Sequence, residues 1–114
     1  MTAKVNRFND IIRKFRKQLF GKGPDRIETV FVQNMAITTL HGNLTPTEKF
    51  IAGTEEGKEM IHRARTRLIQ DVYAKSPPEG LEEITGARFI SLFSDIKVEE
   101  DIAVSVFVFD RPIV

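Results

Sequence analysis

The side chains of this sequence that could do chemistry are few, and they do not complete a catalytic or metal-binding pattern. His62 follows Glu59 by three residues, which is half of the paired Glu-x-x-His arrangement that holds dinuclear metal sites in helical bundles. The other half is missing, because His41 has no Glu three residues before it. We therefore interpret Glu59 and His62 as surface residues of one helix and predict that the protein holds no metal ion.

Other reactive arrangements are incomplete in the same way. The sequence has no Cys, which excludes disulfides, thiolate nucleophiles and thiolate metal ligands. It has no Gly-x-Ser-x-Gly elbow, and the Gly-Lys-Gly sequence at 21–23 lacks the rest of a phosphate-binding loop. Acidic clusters at residues 55–59, 82–83 and 99–101 suit helix starts and an exposed turn. We predict no catalytic residues, no cofactor and no enzymatic activity.

The basic residues are better functional candidates, because positive charge is concentrated near the N-terminus. Residues 1–26 carry eight Lys or Arg and two Asp, whereas acidic residues outnumber basic ones in the rest of the chain. Six of the cations lie on the polar sides of two predicted helices: Arg13, Lys14, Arg16 and Lys17 on the first, and Arg63 and Arg67 on the longest. If both helices cover one sheet face, these residues form a candidate surface for phosphates or acidic side chains. The simpler interpretation, which we favour, is a pair of solvated helix faces.

The helices that carry these residues are marked by apolar spacing and by clear ends. Apolar residues three or four apart predict an amphipathic first helix, which the Gly-Lys-Gly-Pro sequence at 21–24 ends. Three more helices are predicted at residues 46–52, 55–75 and 78–86, and Thr45 with Glu48 forms a capping box before the first of them. The buried side of the long helix is predicted to consist of Ile61, Ala64, Leu68, Val72 and Tyr73.

Four strands are predicted around these helices. Residues 26–32 and 35–41 form one hairpin, and residues 87–96 and 102–109 form a second. The last strand is apolar at both odd and even positions, which predicts that it is central or covered on both faces.

The order α-ββ-αα(α)-ββ predicts one α+β domain over residues 1–114, a two-layer sandwich in which helices cover a four-stranded antiparallel sheet. The similar segments RIETVF and RFISLF, each preceded by a Gly-containing turn, hint at an αββ duplication. The N-terminus is not typical of a signal peptide, and no apolar run approaches the ~20 residues of a membrane span. We therefore expect a cytoplasmic protein.

Several segments together resemble one family of small bacterial proteins. The most specific are Gly21-Lys22-Gly23-Pro24, Leu44-Thr45-Pro46 with Glu48-Lys49, Thr54-Glu55-Glu56-Gly57, and Thr85-Gly86. On these segments, and over about residues 5 to 110, the chain resembles the MpsC-like family, which is named after a sodium-translocating membrane-potential-generating system. The resemblance implies a link to membrane components for inorganic-carbon or ion transport, and it supplies no set of catalytic residues.

Two functions from different classes follow from these observations. The first is a non-enzymatic accessory or regulatory protein, expected to be a homodimer through the stripe of the first helix or through the last strand, with a possible protein partner at the membrane. The second is a nucleic-acid-binding module that uses the basic N-terminal helix, which we consider the weaker alternative.

Overall fold

The structure is a computed structural model that describes residues 2–113, and the side chains of residues 2, 73 and 74 are outside the description. The elements follow the order α1 (Thr2–Phe20), β1 (Arg26–Val32), β2 (Met35–His41), α2 (Pro46–Ile51), α3 (Glu55–Lys75), α4 (Leu81–Thr85), β3 (Phe89–Lys97) and β4 (Ile102–Phe109). This order confirms the predicted α+β class, with two hairpins separated by three helices.

The four strands form one antiparallel sheet in the order β1-β2-β4-β3. The two hairpins therefore meet through their second strands, and β1 and β3 are the edges. Helix α1 packs on β1 and α3 packs on β3, both on the same face of the sheet, which we call the covered face. The segments RIETVF and RFISLF lie in the two edge strands, and the duplication that they suggest stays a prediction.

The core lies between α1 and the central strands. Phe8 and Ile12 of α1 are at most 1% exposed, and so are Phe107 and Phe109 of β4. The ring of Phe8 meets that of Phe107 edge-on, with 5.3 Å between the ring centroids. The apolar stripe of α1 therefore packs against the sheet of its own chain. Of the two surfaces predicted to form a homodimer, this one is not available to a second copy.

Helix α3 turns a different side inward from the one that its sequence predicts. Ile61 is buried as expected, but Ala64 and Leu68 are exposed, and Arg65 and Ile69 take the inward positions. The prediction was wrong there because it assumed that an Arg faces water, whereas Arg65 meets a carboxylate inside the protein. Val72 is half-buried, and Tyr73 lies outside the described side chains.

Strand β4 is central, but helices cover only one of its faces. Ala103, Ser105, Phe107 and Phe109 are buried beneath the helices, whereas Val104 on the opposite face is 40% exposed. Of the two alternatives that the sequence left open for this strand, the central position is therefore confirmed, and residues 2–113 do not provide the double covering.

Candidate functional site

The predicted basic surface is only partly available to a ligand. Arg13, Lys14 and Lys17 are exposed on α1, and Arg63 and Arg67 are exposed on α3. Both helices cover the same face of the sheet, which was the condition for a joint surface. They nevertheless lie over opposite edges of the sheet, α1 on β1 and α3 on β3.

Arg16, the remaining residue of the predicted basic surface, is buried. Its side chain is 2% exposed, and its guanidinium donates to the Ser105 hydroxyl at 3.2 Å. The guanidinium carbon also lies 5.6 Å from the centre of the Phe20 ring. Arg16 therefore anchors α1 to the centre of the sheet and does not belong to an exposed basic surface.

Arg16 rests on a row of hydroxyl side chains that crosses the covered face of all four strands. The row consists of Thr29, Thr38, Ser105 and Ser94, which are paired strand to strand in that order. The Thr29 and Thr38 oxygens lie 2.9 Å apart, as do those of Ser94 and Ser105. Thr29 also donates to the Asn9 side chain of α1 at 2.5 Å. These groups satisfy one another, so the row is a structural feature.

The second buried cation, Arg65, is held by a carboxylate at the start of α2. Its guanidinium donates to both oxygens of Glu48 at 2.6 and 2.7 Å, and to the Asn43 carbonyl at 2.9 Å. Glu48 also accepts from the Thr45 N–H at 2.9 Å, which completes the predicted capping box. The Phe20 ring centre lies 4.0 Å from the guanidinium carbon. The Glu48 carboxylate thus caps the start of α2 and also neutralises the charge of Arg65 on α3.

This geometry gives Glu48 a defined effect on stability at acidic pH. Burial raises its pKa, but hydrogen bonds from Arg65 and the Thr45 N–H outweigh burial, so the pKa lies below the usual 4.5. A depressed carboxyl pKa contributes stability that is present above the unfolded-state pKa and is lost as the pH falls through the folded-state value. We expect the difference in unfolding free energy between the wild type and Glu48→Gln to be constant above pH 4.5 and to shrink below it. Urea titrations at several pH values measure this, and a difference that grows on acidification would contradict the sign.

His62 has a structural partner of its own. Its Nε2 atom lies 2.6 Å from the Asp95 carboxylate of β3, which lowers the pKa of Asp95. Among the described side chains, no group of three or more His, Asp or Glu has the arrangement of a metal site. The Glu59-x-x-His62 pair therefore gains no further metal ligands from the fold.

The face of the sheet opposite the helices, which we call the open face, has no layer packed on it by residues 2–113. Side chains on this face line up in four rows across the strands. The rows are Val32-Met35-Val108-Ser91, Val30-Ile37-Val106-Phe93, Glu28-Thr39-Val104-Asp95 and Arg26-His41-Ile102-Lys97. Two rows at one end are almost entirely apolar, and charged groups are confined to the other end.

The apolar part of the open face is accessible to solvent. Phe93 is 65% exposed, Val30 is 59% exposed, and Val104 and Val32 are each about two-fifths exposed. Val30 and Phe93 lie on opposite edge strands and are joined in one row by Ile37 and Val106, which are half-buried. The apolar surface is therefore continuous across the sheet, whereas scattered surface apolar residues would need no explanation. The sequence indicated the last strand as a candidate surface for a second copy, but the contributions of β1, β2 and β3 to the same face could not be read from it because they depend on the strand order and register.

Comparison with known proteins identifies the family. A family described as "Na+-translocating membrane potential-generating system (MpsC)" matches residues 3–111. The chain belongs to the MpsC family. "Uncharacterized protein YrhF" of Bacillus subtilis (strain 168) is 67% identical over 113 residues, covering 99% of this chain and 93% of that protein. "Uncharacterized protein YbcI" of the same strain is 31% identical over 100 residues, covering 84% of this chain and 77% of its own length. No solved structure matches.

The residues that carry the likeness to the MpsC family serve the fold. The Lys22 ammonium donates to the carbonyls of Gly23 and Gly42 and to the Asp25 carboxylate, at 3.1, 2.5 and 2.9 Å. These bonds tie the end of α1 to the loop after β2, and the Lys22 ammonium lowers the pKa of Asp25. Thr54 caps α3 by accepting from the Gly57 N–H at 2.9 Å.

None of the helices between residues 2 and 113 combines the length and apolar character needed to cross a membrane.

Proposed function

We propose that this member of the MpsC family is a cytoplasmic, non-enzymatic accessory or regulatory protein of a membrane inorganic-carbon or ion transport system. It works by association, as a homodimer whose open faces pack together. The observation that carries the proposal is the open face itself, whose apolar end is left uncovered by residues 2–113. The family description supports the transport link, and the buried cations Arg16 and Arg65 are engaged in packing.

A second copy suits the open face in size. At about 4.8 Å between strands and about 6.8 Å between rows, the face measures roughly 19 by 27 Å. That is about 500 Å² in projection, and side-chain relief makes the accessible area larger, towards the roughly 800 Å² per partner of a standard interface. Two sheets facing each other about 10 Å apart would bury both apolar ends as the core of a sandwich.

The charges of the open face also suit a second copy. Arg26 and Lys97 are balanced by Glu28 and Asp95, so the face has no net charge when His41 is neutral. The Arg26 guanidinium lies 3.7 Å from the Glu28 carboxylate within one strand. A neutral apolar face does not repel its own copy, and it offers no field to attract a polyanion.

Charging the centre of the open face is expected to abolish the homodimer. Val106 lies between Ile37 and Phe93 in the middle apolar row, so Val106→Glu would bury an unpaired carboxylate in the interface. We expect wild-type protein to have twice the 13.0 kDa mass of the chain in light scattering during size exclusion, and the variant to dissociate at least about 100-fold more easily.

The matched control is Phe50→Glu, which introduces the same charge at a residue that is 86% exposed on α2. This variant should dimerise like the wild type. A wild-type monomer at high concentration, or equal dissociation of both variants, would overturn the dimer.

The transport link is tested separately, by pull-down of tagged protein from the native host with and without nuclease. A membrane transport component retained after nuclease treatment would support the link. A set of partners that disappears with nuclease would overturn it.

The alternative function is nucleic-acid binding by α1, and the exposed cations Arg13, Lys14 and Lys17 favour it. Such binding would weaken steeply with salt, and the double variant Arg13→Ala/Lys17→Ala would reduce the slope. Arg13 is already paired with Asp10 at 3.1 Å, and Arg16 is buried, which leaves fewer cations than the sequence suggests. For these reasons we favour the accessory protein.

A further inference from the structure

The edge strand β3, which borders the open face, also borders a groove that lies beside helix α3. The groove has a volume of about 590 Å³ and runs between the second half of α3 and the edge strand β3. Ile69 and Gln70 of α3 and Pro77 line one side, and residues 89–92 with Ser94 line the other. A helix beside a free strand edge is the arrangement that peptide-binding domains use for strand addition.

Helix α3 leaves the covered side of β3 incompletely buried at this groove. Leu92 pairs with Phe107 and Ser94 pairs with Ser105, and both β4 partners are 1% exposed. Leu92 and Ser94 themselves are only half-buried. The sheet therefore offers apolar and hydroxyl side chains to a ligand in the groove.

The hydrogen-bond pattern of β4 shows which residues of β3 point their backbone groups towards the groove. Phe109 donates its N–H to Asn34 next to β2, and Asp110 donates its N–H to Arg88 next to β3. Since successive residues of a strand bond alternately to its two neighbours, the even-numbered residues of β4 bond to β3. The β3 residues paired with these even-numbered residues include Ser91, Phe93 and Asp95, and their backbone N–H and C=O groups point towards β4. The backbone N–H and C=O of Leu92 and Ser94 therefore point out of the sheet into the groove.

Beyond Ser94, the next outward-facing N–H of β3 is already hydrogen-bonded. Ile96 follows Ser94 at the next outward-facing position, and its N–H donates to the Asp95 carboxylate at 2.9 Å. The same carboxylate oxygen lies 2.6 Å from His62 Nε2, which ties α3 to β3. The Asp95 carboxylate thus occupies the Ile96 N–H and protects that position from pairing, whereas the N–H groups of Leu92 and Ser94 lie along the groove.

We propose that this groove binds an extended segment of a partner protein, which adds to the sheet as a fifth strand beside β3. The backbone of the segment bonds to Leu92 and Ser94, and apolar side chains at alternate positions pack on Leu92 and Ile69. An extended peptide is the occupant that matches the groove, because it alone offers backbone donors and acceptors at the spacing of a strand edge. The groove meets the open face at Ser91, which belongs to both, and its other lining residues lie outside the rows of the open face. The two backbone positions proposed to bind the segment, Leu92 and Ser94, therefore lie outside the proposed dimer interface.

The test is an arrayed library of ten-residue peptides in which apolar and polar residues alternate, probed with the fluorescently labelled full chain. The tightest peptide is then synthesised in two N-methylated versions, one methylated at odd positions and the other at even positions. Strand addition uses the N–H groups of one parity, so one version should bind about tenfold or more weakly and the other should keep most of the affinity.

Protein variants and spectroscopy locate the bound peptide. Ser94→Pro removes one groove-facing N–H at an edge position that tolerates Pro, whereas the control Ser94→Ala removes only the hydroxyl. The affinity for the peptide should be about tenfold lower for Ser94→Pro than for Ser94→Ala. In the wild-type protein, the amide signals of Leu92 and Ser94 should gain protection from hydrogen exchange when the peptide binds.

The outcomes separate this inference from the proposed dimer. Absence of any peptide above background, equal loss in both N-methylated versions, or amide shifts confined to the open face would overturn the groove and leave the dimer untouched. Protection of Leu92 and Ser94 in the free protein that is lost on dilution would mean that a second copy fills the groove, which also overturns it. If Ser94→Pro does not fold, the N-methylated peptides still decide.

Discussion

Replacing Glu48 by Gln is expected to lower the free energy of unfolding by about 3 kcal/mol or more. The Arg65 side chain is 4% exposed, and its charge is balanced by the two Glu48 oxygens at 2.6 and 2.7 Å. Gln keeps the size of the side chain but leaves the guanidinium as an uncompensated buried charge. It also removes a carboxylate from the start of α2, where the helix dipole favours one. Urea denaturation followed by circular dichroism at neutral pH measures the change.

The control for this variant is Glu56→Gln, which changes the same side chain at an exposed position of α3 and should alter stability by no more than about 0.5 kcal/mol. The double variant Glu48→Gln/Arg65→Met removes the buried charge together with its partner, and we expect it to recover at least half of the loss. A loss below about 1 kcal/mol for Glu48→Gln would mean that solvent already screens Arg65.

The second large effect is expected for Gly57→Ala. A Cβ atom at residue 57 would lie 1.7 Å from the Ile51 carbonyl oxygen and 2.7 Å from its carbon. Both are backbone atoms at the end of α2, so relief requires movement of the whole helix. Ala favours a helix over Gly by about 1 kcal/mol, yet we expect a net loss of about 3 kcal/mol, measured by thermal and urea unfolding.

Ala64→Gly is the reciprocal control, because Ala64 is exposed on the same helix. It should cost about 1 kcal/mol, the ordinary difference between the two residues in a helix. A Gly57→Ala variant that is more stable than the wild type would show that α2 can move away from α3 at little cost.

The contact between α2 and α3 also explains which parts of the fold the sequence could predict. The Thr45–Glu48 capping box and the Thr54 cap depend on residues close in sequence, and the helices start where these signals predict. The inward side of α3 depends on Glu48 reaching Arg65, 17 residues away. Local periodicity contains no information about that pair, so it favoured Ala64 and Leu68 over Arg65 and Ile69.

The same distinction applies to the candidate site. The apolar residues at both odd and even positions of β4 were visible in the sequence, and they correctly indicated a central strand. Whether both faces of the sheet are covered depends on where the helices pack, and the residue pattern of one strand does not determine this. The rows that join Val30 to Phe93 across the sheet require the register of three pairings, and the groove requires the distance between α3 and β3.

The hydroxyl row at the middle of the covered face has a consequence for how the chain reaches this structure. A strand that slips by two residues keeps its apolar side on the helices, so hydrophobicity alone would tolerate the error. Here such a slip would set the Ser105 hydroxyl against an apolar neighbour such as Ala36 or Leu40 instead of Thr38, and would strand it away from Arg16 and water. Misaligned hairpins are thereby penalised while folding is still in progress, and the correct alignment pairs Thr29 with Thr38 and Ser105 with both Ser94 and Arg16.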